Sequence, residues 1–218
     1  MRYKKRILVG GHRGCICQYQ ENTIPAMEQA LSDGADYLEI DLQLTKDGVI
    51  VVYHDTELSL KTSLHGYVHE YTLADLKMEI PTLNTCEEVF QWAAAGEVSL
   101  MLELKSVPLD MQAVNLCLTD KLAEMILRYQ MVEQVLVFGA DYMVLKHLKS
   151  VYPVIQIGLI VPYVPADPVA LMKEMDATVY LSYIYNMTKE IVDDLHTAGY
   201  FVDGAILREQ RWIERAKS

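Results

Sequence analysis

The chain has 218 residues, 51% hydrophobic and 22% charged, and its 19 Lys+Arg against 30 Asp+Glu leave a formal charge of −11. That composition is too apolar for a disordered chain, and the length can bury a full core. The acidic balance excludes the basic stripe that nucleic-acid binding needs, yet it admits an anionic substrate, because a bound cation reverses the local field.

Strand-like and helix-like periods alternate along almost the whole sequence. Arg6–Gly11 is a short β-rich run, and Thr23–Ser32 reads as a helix stopped by Gly34. Strands are predicted over Tyr37–Leu44 and Val49–Tyr53, separated by Thr45-Lys46-Asp47-Gly48, then helices over Leu73–Lys77 and Thr85–Ala95. Val98–Lys105 is a strand, Met111–Tyr129 a long amphipathic helix, Val135–Phe138 a strand and Tyr142–Ser150 a helix. Strands near Val154–Val161, Thr178–Tyr183 and Tyr200–Val202 alternate with helices near Pro168–Met175 and Thr188–Ala198, and Gln210–Lys217 is a last helix. This rhythm predicts βα units on a parallel sheet. No Gly-x-Gly-x-x-Gly follows the first strand and no P-loop motif occurs, so a βα barrel in one domain over 1–218 is the leading architecture.

No apolar run nears the roughly 18 residues of a membrane span, so stable membrane insertion is not expected. The apolar stretch Ile7–Val9 behind basic Met1–Arg6 is too short for a signal-peptide core. Cys15 and Cys17 lack further soft ligands nearby in sequence, and Cys86 and Cys117 are isolated, so free thiols in a reducing, cytoplasmic compartment are expected.

Charge interrupts the pattern at or beside strand ends. His12-Arg13 follows the first strand, and His54-Asp55 closes the run Val49–Tyr53. In Tyr37–Leu44, Leu38, Ile40 and Leu42 share one face while Glu39 and Asp41 share the other; in Val98–Lys105 the leucines again oppose Glu103 and Lys105. Leucines packed outward on barrel helices would send Glu39, Asp41, Glu103 and Lys105 inward. Three carboxylates converging there would repel by several kcal/mol at an effective dielectric constant of about 20. A hard divalent cation with oxygen ligands, Mg²⁺ or Ca²⁺, relieves that repulsion. Asp47-Gly48 signals a two-residue hairpin turn, which would place His54 opposite Asp41 and diagonally within reach of Glu39. Singly, these motifs have ordinary readings as surface loops, solvated edges or exposed ion pairs; jointly they would meet at one barrel mouth. His65, His69, His147 and His196 read as solvent-facing, and the methionines as core filler.

The run His12-Arg13-Gly14, Glu21-Asn22-Thr23, Gly34-Ala35-Asp36, Glu39-x-Asp41, Thr45-Lys46-Asp47-Gly48, Val51-Val52-x-His54-Asp55 resembles the glycerophosphodiester phosphodiesterase family. Ile80-Pro81-Thr82-Leu83 and Leu102-Glu103-Leu104-Lys105 continue the match, which beyond Lys105 rests mainly on the βα rhythm. The resemblance implies a TIM-type (β/α)8 barrel that hydrolyses a small-molecule glycerophosphodiester to glycerol 3-phosphate and an alcohol with a divalent cation. It implies that His12 and His54 are the acid/base pair, that Glu39, Asp41 and Glu103 are metal ligands, and that Arg13 and Lys105 contact the phosphate. An imidazole titrates near neutrality and suits proton transfer in both directions, and the glycerol 2-hydroxyl is a candidate nucleophile giving a cyclic phosphate.

Departures from the family include the short Met78-Glu79 connection before Ile80, which would open the pocket, and Phe201–Leu207 in place of an aromatic-rich strand end. An eighth strand is not found after Gln210–Lys217, so the barrel is expected to lack it and the sequence to be truncated. A lysophospholipid-cleaving relative and a catalytically silent phosphodiester-binding barrel are the alternative readings, and the retained histidines and carboxylates favour catalysis. The oligomeric state is left open.

Overall fold

The computed structural model describes residues 7–217. Met1–Arg6, with the start of the expected first strand, and Ser218 lie outside the described residues. The chain divides into two compact units, Met1–Val137 and Phe138–Ser218.

In the first unit β1 (Gly10–His12) runs parallel to β2 (Tyr37–Leu44), which runs parallel to β4 (Leu100–Leu104), while β3 (Ile50–Val52) is an antiparallel arm on β2. The register sets His12 beside Glu39 and Asp41 beside Glu103, so the polar residues of three strands fall in one patch. The alternation read from the sequence holds. Leu38, Ile40, Leu42, Leu100 and Leu102 are fully buried, each contributing about 1.5–3 kcal/mol of apolar burial. Glu39 and Asp41 on the opposite face are buried as well.

The helices α1 (Ile24–Ser32), α2 (Leu73–Glu79), α3 (Cys86–Ala95) and α4 (Gln112–Arg128) occupy the expected segments. Thr23 caps α1 by accepting the Ala26 N–H, and Pro25 fits its first turn, where no intrahelical donor is needed. Thr72 with Asp75, and Thr85 with Glu88, form reciprocal capping boxes on α2 and α3, each cap contributing about 1 kcal/mol. Leu118, Leu122 and Ile126 recur one turn apart on the buried side of α4.

Arg13 and Gly14 leave β1 with φ of 60° and 82°, bending the chain back over the strand end. A Cβ at Gly14 would stand 2.6 Å from the Ala26 carbonyl carbon. Gly14→Ala is therefore expected to destabilise the fold by about 2–4 kcal/mol, read as a lower urea midpoint at unchanged m-value.

The hairpin differs from its expected register. Leu42 pairs with Val52 and Leu44 with Ile50, so Asp41 faces Tyr53, whose N–H donates to the Asp41 carbonyl at 3.0 Å, and His54 lies beyond the pair. The cause is a larger loop. The Gly48 N–H donates to the Thr45 carbonyl at 2.9 Å, Gly48 is left-handed at φ 76°, and the Val49 N–H donates to Thr45 Oγ1 at 2.9 Å. This is a type I turn closed by a glycine bulge, which takes one residue more than the two-residue turn.

β5 (Val135–Gly139) crosses the boundary between the units. In the second unit β6 (Ile157–Ile160), β7 (Val179–Tyr183) and β8 (Phe201–Ala205) are parallel neighbours in that order. They alternate with α5 (Tyr142–Val151), α6 (Pro168–Glu174), α7 (Lys189–Thr197) and α8 (Gln210–Lys217). β6 starts later than expected because the Ile155 N–H closes a turn onto the Tyr152 carbonyl at 3.0 Å. Asp141 and Asp167 cap α5 and α6, and Leu145, Leu148, Leu159, Met172 and Leu195 form the apolar centre of this unit. With β3 set aside as a hairpin arm, the series has seven strands among the described residues, as the sequence implied.

Candidate active site

Glu39 and Asp41 come from within β2 and Glu103 from near the end of β4, with His12 at the end of β1 beside Glu39. One carboxylate oxygen from each of Glu39, Asp41 and Glu103 lies within 4.8 Å of the others, a grouping that could hold a metal ion. Two cations partly neutralise it. Lys105 Nζ is 2.7 Å from Glu103 Oε1 and 3.3 Å from Asp41 Oδ1, and Arg13 Nε is 3.4 Å from Asp41 Oδ2. Asn22 Nδ2 also donates to Asp41 Oδ2 at 2.8 Å. The Asp41 carboxylate thus has one hydrogen bond, at Oδ2, while its buried Oδ1 has the Lys105 charge contact but no hydrogen-bond partner. Glu39 is similar: its Oε2 accepts the Arg13 N–H at 3.2 Å, while its buried Oε1 has no hydrogen-bond partner.

Burial, reinforced by Asp41 and Glu103, pushes the Glu39 carboxyl well above the usual range, and burial likewise raises Glu103. Burial opposes charge on Lys105, but Glu103 and Asp41 outweigh it and hold the ammonium above its ordinary value. An orphaned carboxylate oxygen beside two further acids, in an all-oxygen donor set, fits a hard divalent cation.

His12 borders this patch, and His54 is within electrostatic reach of Glu103. His12 Nε2 lies 3.7 Å from Glu39 Oε2. His54 Nδ1 is 2.6 Å from Asp55 Oδ1, and the segment around it is clamped because buried Gln43 donates to the carbonyls of Tyr53 at 2.8 Å and Asp55 at 3.0 Å. Asp55 sits below its usual range: burial works against its charge, but the Lys61 ammonium and His54 outweigh it. An ionised Asp55 accepts only, so the proton between them resides on Nδ1 and Nε2 is left as the unprotonated ring nitrogen.

The structure therefore gathers the acids Glu39, Asp41 and Glu103 with Arg13 and Lys105, and brings His12 against Glu39. Sequence reasoning gave no separate role to Glu21, Asn22, Gln43, Asp55 or Lys61. Asn22 and Asp55 stand inside recognised motifs, but Gln43 reads as an ordinary polar strand residue and Lys61 carries no local signal. His69 departs from the solvent-facing expectation. It is half-buried, stacks on the Tyr67 ring at 5.7 Å and lines a small cavity with Lys105 and Asn115, because the turn Val68–Glu70 folds Val68 into the core. His147 is half-buried, while His65 and His196 are exposed. All four cysteines are free thiols.

Residues 12–203 match the model of the glycerophosphoryl diester phosphodiesterase family. The chain belongs to this family. It is 30% identical over 202 residues to a glycerophosphodiester phosphodiesterase of Caldanaerobacter subterraneus subsp. tengcongensis, covering 86% of this chain and 80% of that one. A glycerophosphodiester phosphodiesterase of Bacillus altitudinis is 32% identical over 199 residues, covering 85% and 80%. A phosphodiesterase of Oleispira antarctica, solved in complex with the product sn-glycerol-3-phosphate, superposes with a TM-score of 0.87 at 23% identity, covering 97% of this chain and 89% of that one. The fold is thus the α/β class of the glycerophosphoryl diester phosphodiesterases, whose solved members are TIM barrels, with seven strands in the series among the described residues. Membership in the family makes the chain an enzyme that hydrolyses glycerophosphodiesters. Among the described residues, no helix is long and apolar enough to cross a membrane.

Proposed function

We propose that this phosphodiesterase works in the cytoplasm on small glycerophosphodiesters, releasing glycerol 3-phosphate, with its site in one barrel domain over 1–218. In this reading His12 and His54 exchange protons, Glu39, Asp41 and Glu103 hold Mg²⁺ or Ca²⁺, and Arg13 and Lys105 meet the phosphate. The observation that carries it is the buried, unpartnered Glu39 Oε1 beside Asp41 and Glu103, with a histidine at its edge.

When bound, the cation neutralises charge on the non-bridging phosphate oxygens. Arg13 and Lys105 share that task from either side of Asp41, and a phosphate entering the site competes with the carboxylates for their donors. The left-handed backbone at Arg13 aims its guanidinium at Asp41 instead of letting it run on along the strand. His54, its Nδ1 proton fixed by Asp55, presents Nε2 as a base or, once protonated, as an acid. His12 supplies the opposite transfer from the β1 end. The first departing group is the alcohol, which needs a proton, and the attacking hydroxyl must lose one, so two imidazoles in opposite states suffice.

Release of glycerol 3-phosphate from glycerophosphocholine tests the reading. Thorough EDTA treatment should reduce turnover at least about 100-fold, and added Mg²⁺ or Ca²⁺ should restore it. Turnover indifferent to chelation would remove the metal assignment.

A further inference from the structure

Lys61 stands on the loop leaving β3, just after the single 3-10 turn Leu58–Leu60. That turn is fixed from inside: Leu58 is fully buried in a cluster with Val51, Tyr53, Val68, Leu76 and Leu83. The Lys61 N–H donates to the Leu58 carbonyl at 3.2 Å, and Thr62 bonds the same carbonyl through its N–H at 3.0 Å and its hydroxyl at 2.8 Å. The base of the side chain is therefore held rigidly, although the side chain itself is 42% exposed.

An exposed lysine on two carboxylates is ordinarily a weak surface pair. Two observations separate this one. Its partners are well covered, Glu21 at 17% and Asp55 at 10% side-chain exposure, and each carboxylate uses its second oxygen on a site residue. Lys61 Nζ is 2.6 Å from Glu21 Oε1, whose Oε2 takes Arg13 Nη1 at 3.2 Å. It is 2.9 Å from Asp55 Oδ2, a charge contact outside good hydrogen-bond alignment, while Asp55 Oδ1 meets His54 Nδ1 at 2.6 Å. The result is a continuous chain of alternating charge, Arg13–Glu21–Lys61–Asp55, that ends on the His54 ring. Ligand atoms of Glu21, His54 and Asp55 also lie within 4.8 Å of one another, in principle a second metal position. The ammonium already supplies the cation those acids call for.

We propose that Lys61 is a positioning residue of the reaction, its ammonium fixing Glu21 behind Arg13 and Asp55 behind His54 in one act. The inference rests on the reading that Arg13 meets the phosphate and His54 moves the proton. Without the ammonium, Glu21 draws more strongly on Arg13 and away from substrate, and the Asp55 carboxylate can rotate and release the ring that its contact with Nδ1 holds in place.

The test uses the full chain with glycerophosphocholine at saturating Mg²⁺ or Ca²⁺. Lys61→Met should lower kcat and raise KM, together about 10–100-fold in kcat/KM, with metal affinity by calorimetry and melting temperature close to wild type. Lys61→Arg should recover kcat to within about threefold, because it restores the charge between the same acids. The two arms separate in other variants: Glu21→Gln should act mainly on KM and Asp55→Asn mainly on kcat, and Lys61→Met added to Asp55→Asn should cost less in kcat than it does alone. Wild-type kcat and KM in Lys61→Met would overturn the proposal, as would failure of Lys61→Arg to rescue or loss of metal affinity in parallel. Should Lys61→Met melt early, the Glu21→Gln and Asp55→Asn pair decides by the same split, and an absent split overturns the proposal. A wild-type enzyme inert toward every glycerophosphodiester would instead overturn the functional reading on which it rests.

Discussion

Hydrolysis by a His54→Ala protein is expected to fall about 10²–10⁴-fold in kcat, with the affinity for the divalent cation close to wild type. The size follows from what the ring does. Asp55 holds Nδ1 at 2.6 Å, Gln43 pins the flanking carbonyls, and Nε2 is the one imidazole atom left to meet a reacting hydroxyl. Alanine removes that acceptor and leaves Glu39, Asp41 and Glu103 untouched, so chemistry is lost while the cation stays. His12→Ala should show a loss of similar order, with a modest change in cation affinity, since His12 Nε2 approaches Glu39 Oε2 at 3.7 Å. Stopped-assay kinetics beside calorimetric titration of the metal separate the two effects. Near-normal turnover in either variant would strike that histidine from the acid/base pair.

The second large effect couples function to stability in opposite directions. Glu39→Gln is expected to reduce activity by at least about 100-fold, yet to make the metal-free protein more stable by about 1–2 kcal/mol at pH 8. In the metal-free state, burial and then the neighbouring Asp41 and Glu103 raise the Glu39 carboxyl far above its ordinary value. The folded protein therefore keeps a proton that the unfolded chain has already released. Stability then declines as pH rises from the ordinary glutamate range through the raised folded value. Glutamine has no such proton and abolishes that slope. The same sign makes cation affinity climb with pH, because binding must expel the proton. Asp55 and Glu21, which lie below their usual range, act oppositely and at lower pH: their contribution is complete above the ordinary carboxylate values and disappears on acidification. Melting curves in EDTA across pH 5–9 (a range chosen to straddle about the neutral region) check the point, and a Glu39→Gln protein less stable than wild type at pH 8 would refute it.

The acidic patch was legible because a strand alternates with period two: once Leu38, Ile40 and Leu42 were assigned to the core, Glu39 and Asp41 had only the other face to occupy. Helix starts were legible for a similar local reason, since Thr23, Thr72 and Thr85 announce their caps in sequence. The hairpin was misplaced by one residue because Thr45 bonds across the turn through both backbone and hydroxyl, drawing itself into a loop that Asp47-Gly48 alone would have kept shorter. Lys61 carries no signal in the sequence, and Glu21 stands in a recognised motif without showing what it meets. Their meeting at 2.6 Å joins two separate loops, and no periodicity links residues whose proximity is created only when β1 and β3 are both docked against β2. Gln43 was hidden differently, on the same face as the acids but bound to main-chain carbonyls that a sequence does not display.

Each residue assigned a part in the chemistry, from His12 to Lys105, comes from the first unit, Met1–Val137. Heredity should feel that asymmetry. In a saturation library selected for growth on phosphodiester phosphorus, the stretch after β5 should accept wide replacement so long as its apolar centre survives. The earlier stretch should tolerate little at its strand exits, even where the exchanged side chains are wet. Lineages descending from such a sequence would keep the opening half nearly constant and let the closing half drift, so that kinship between distant descendants is recognised from their beginnings.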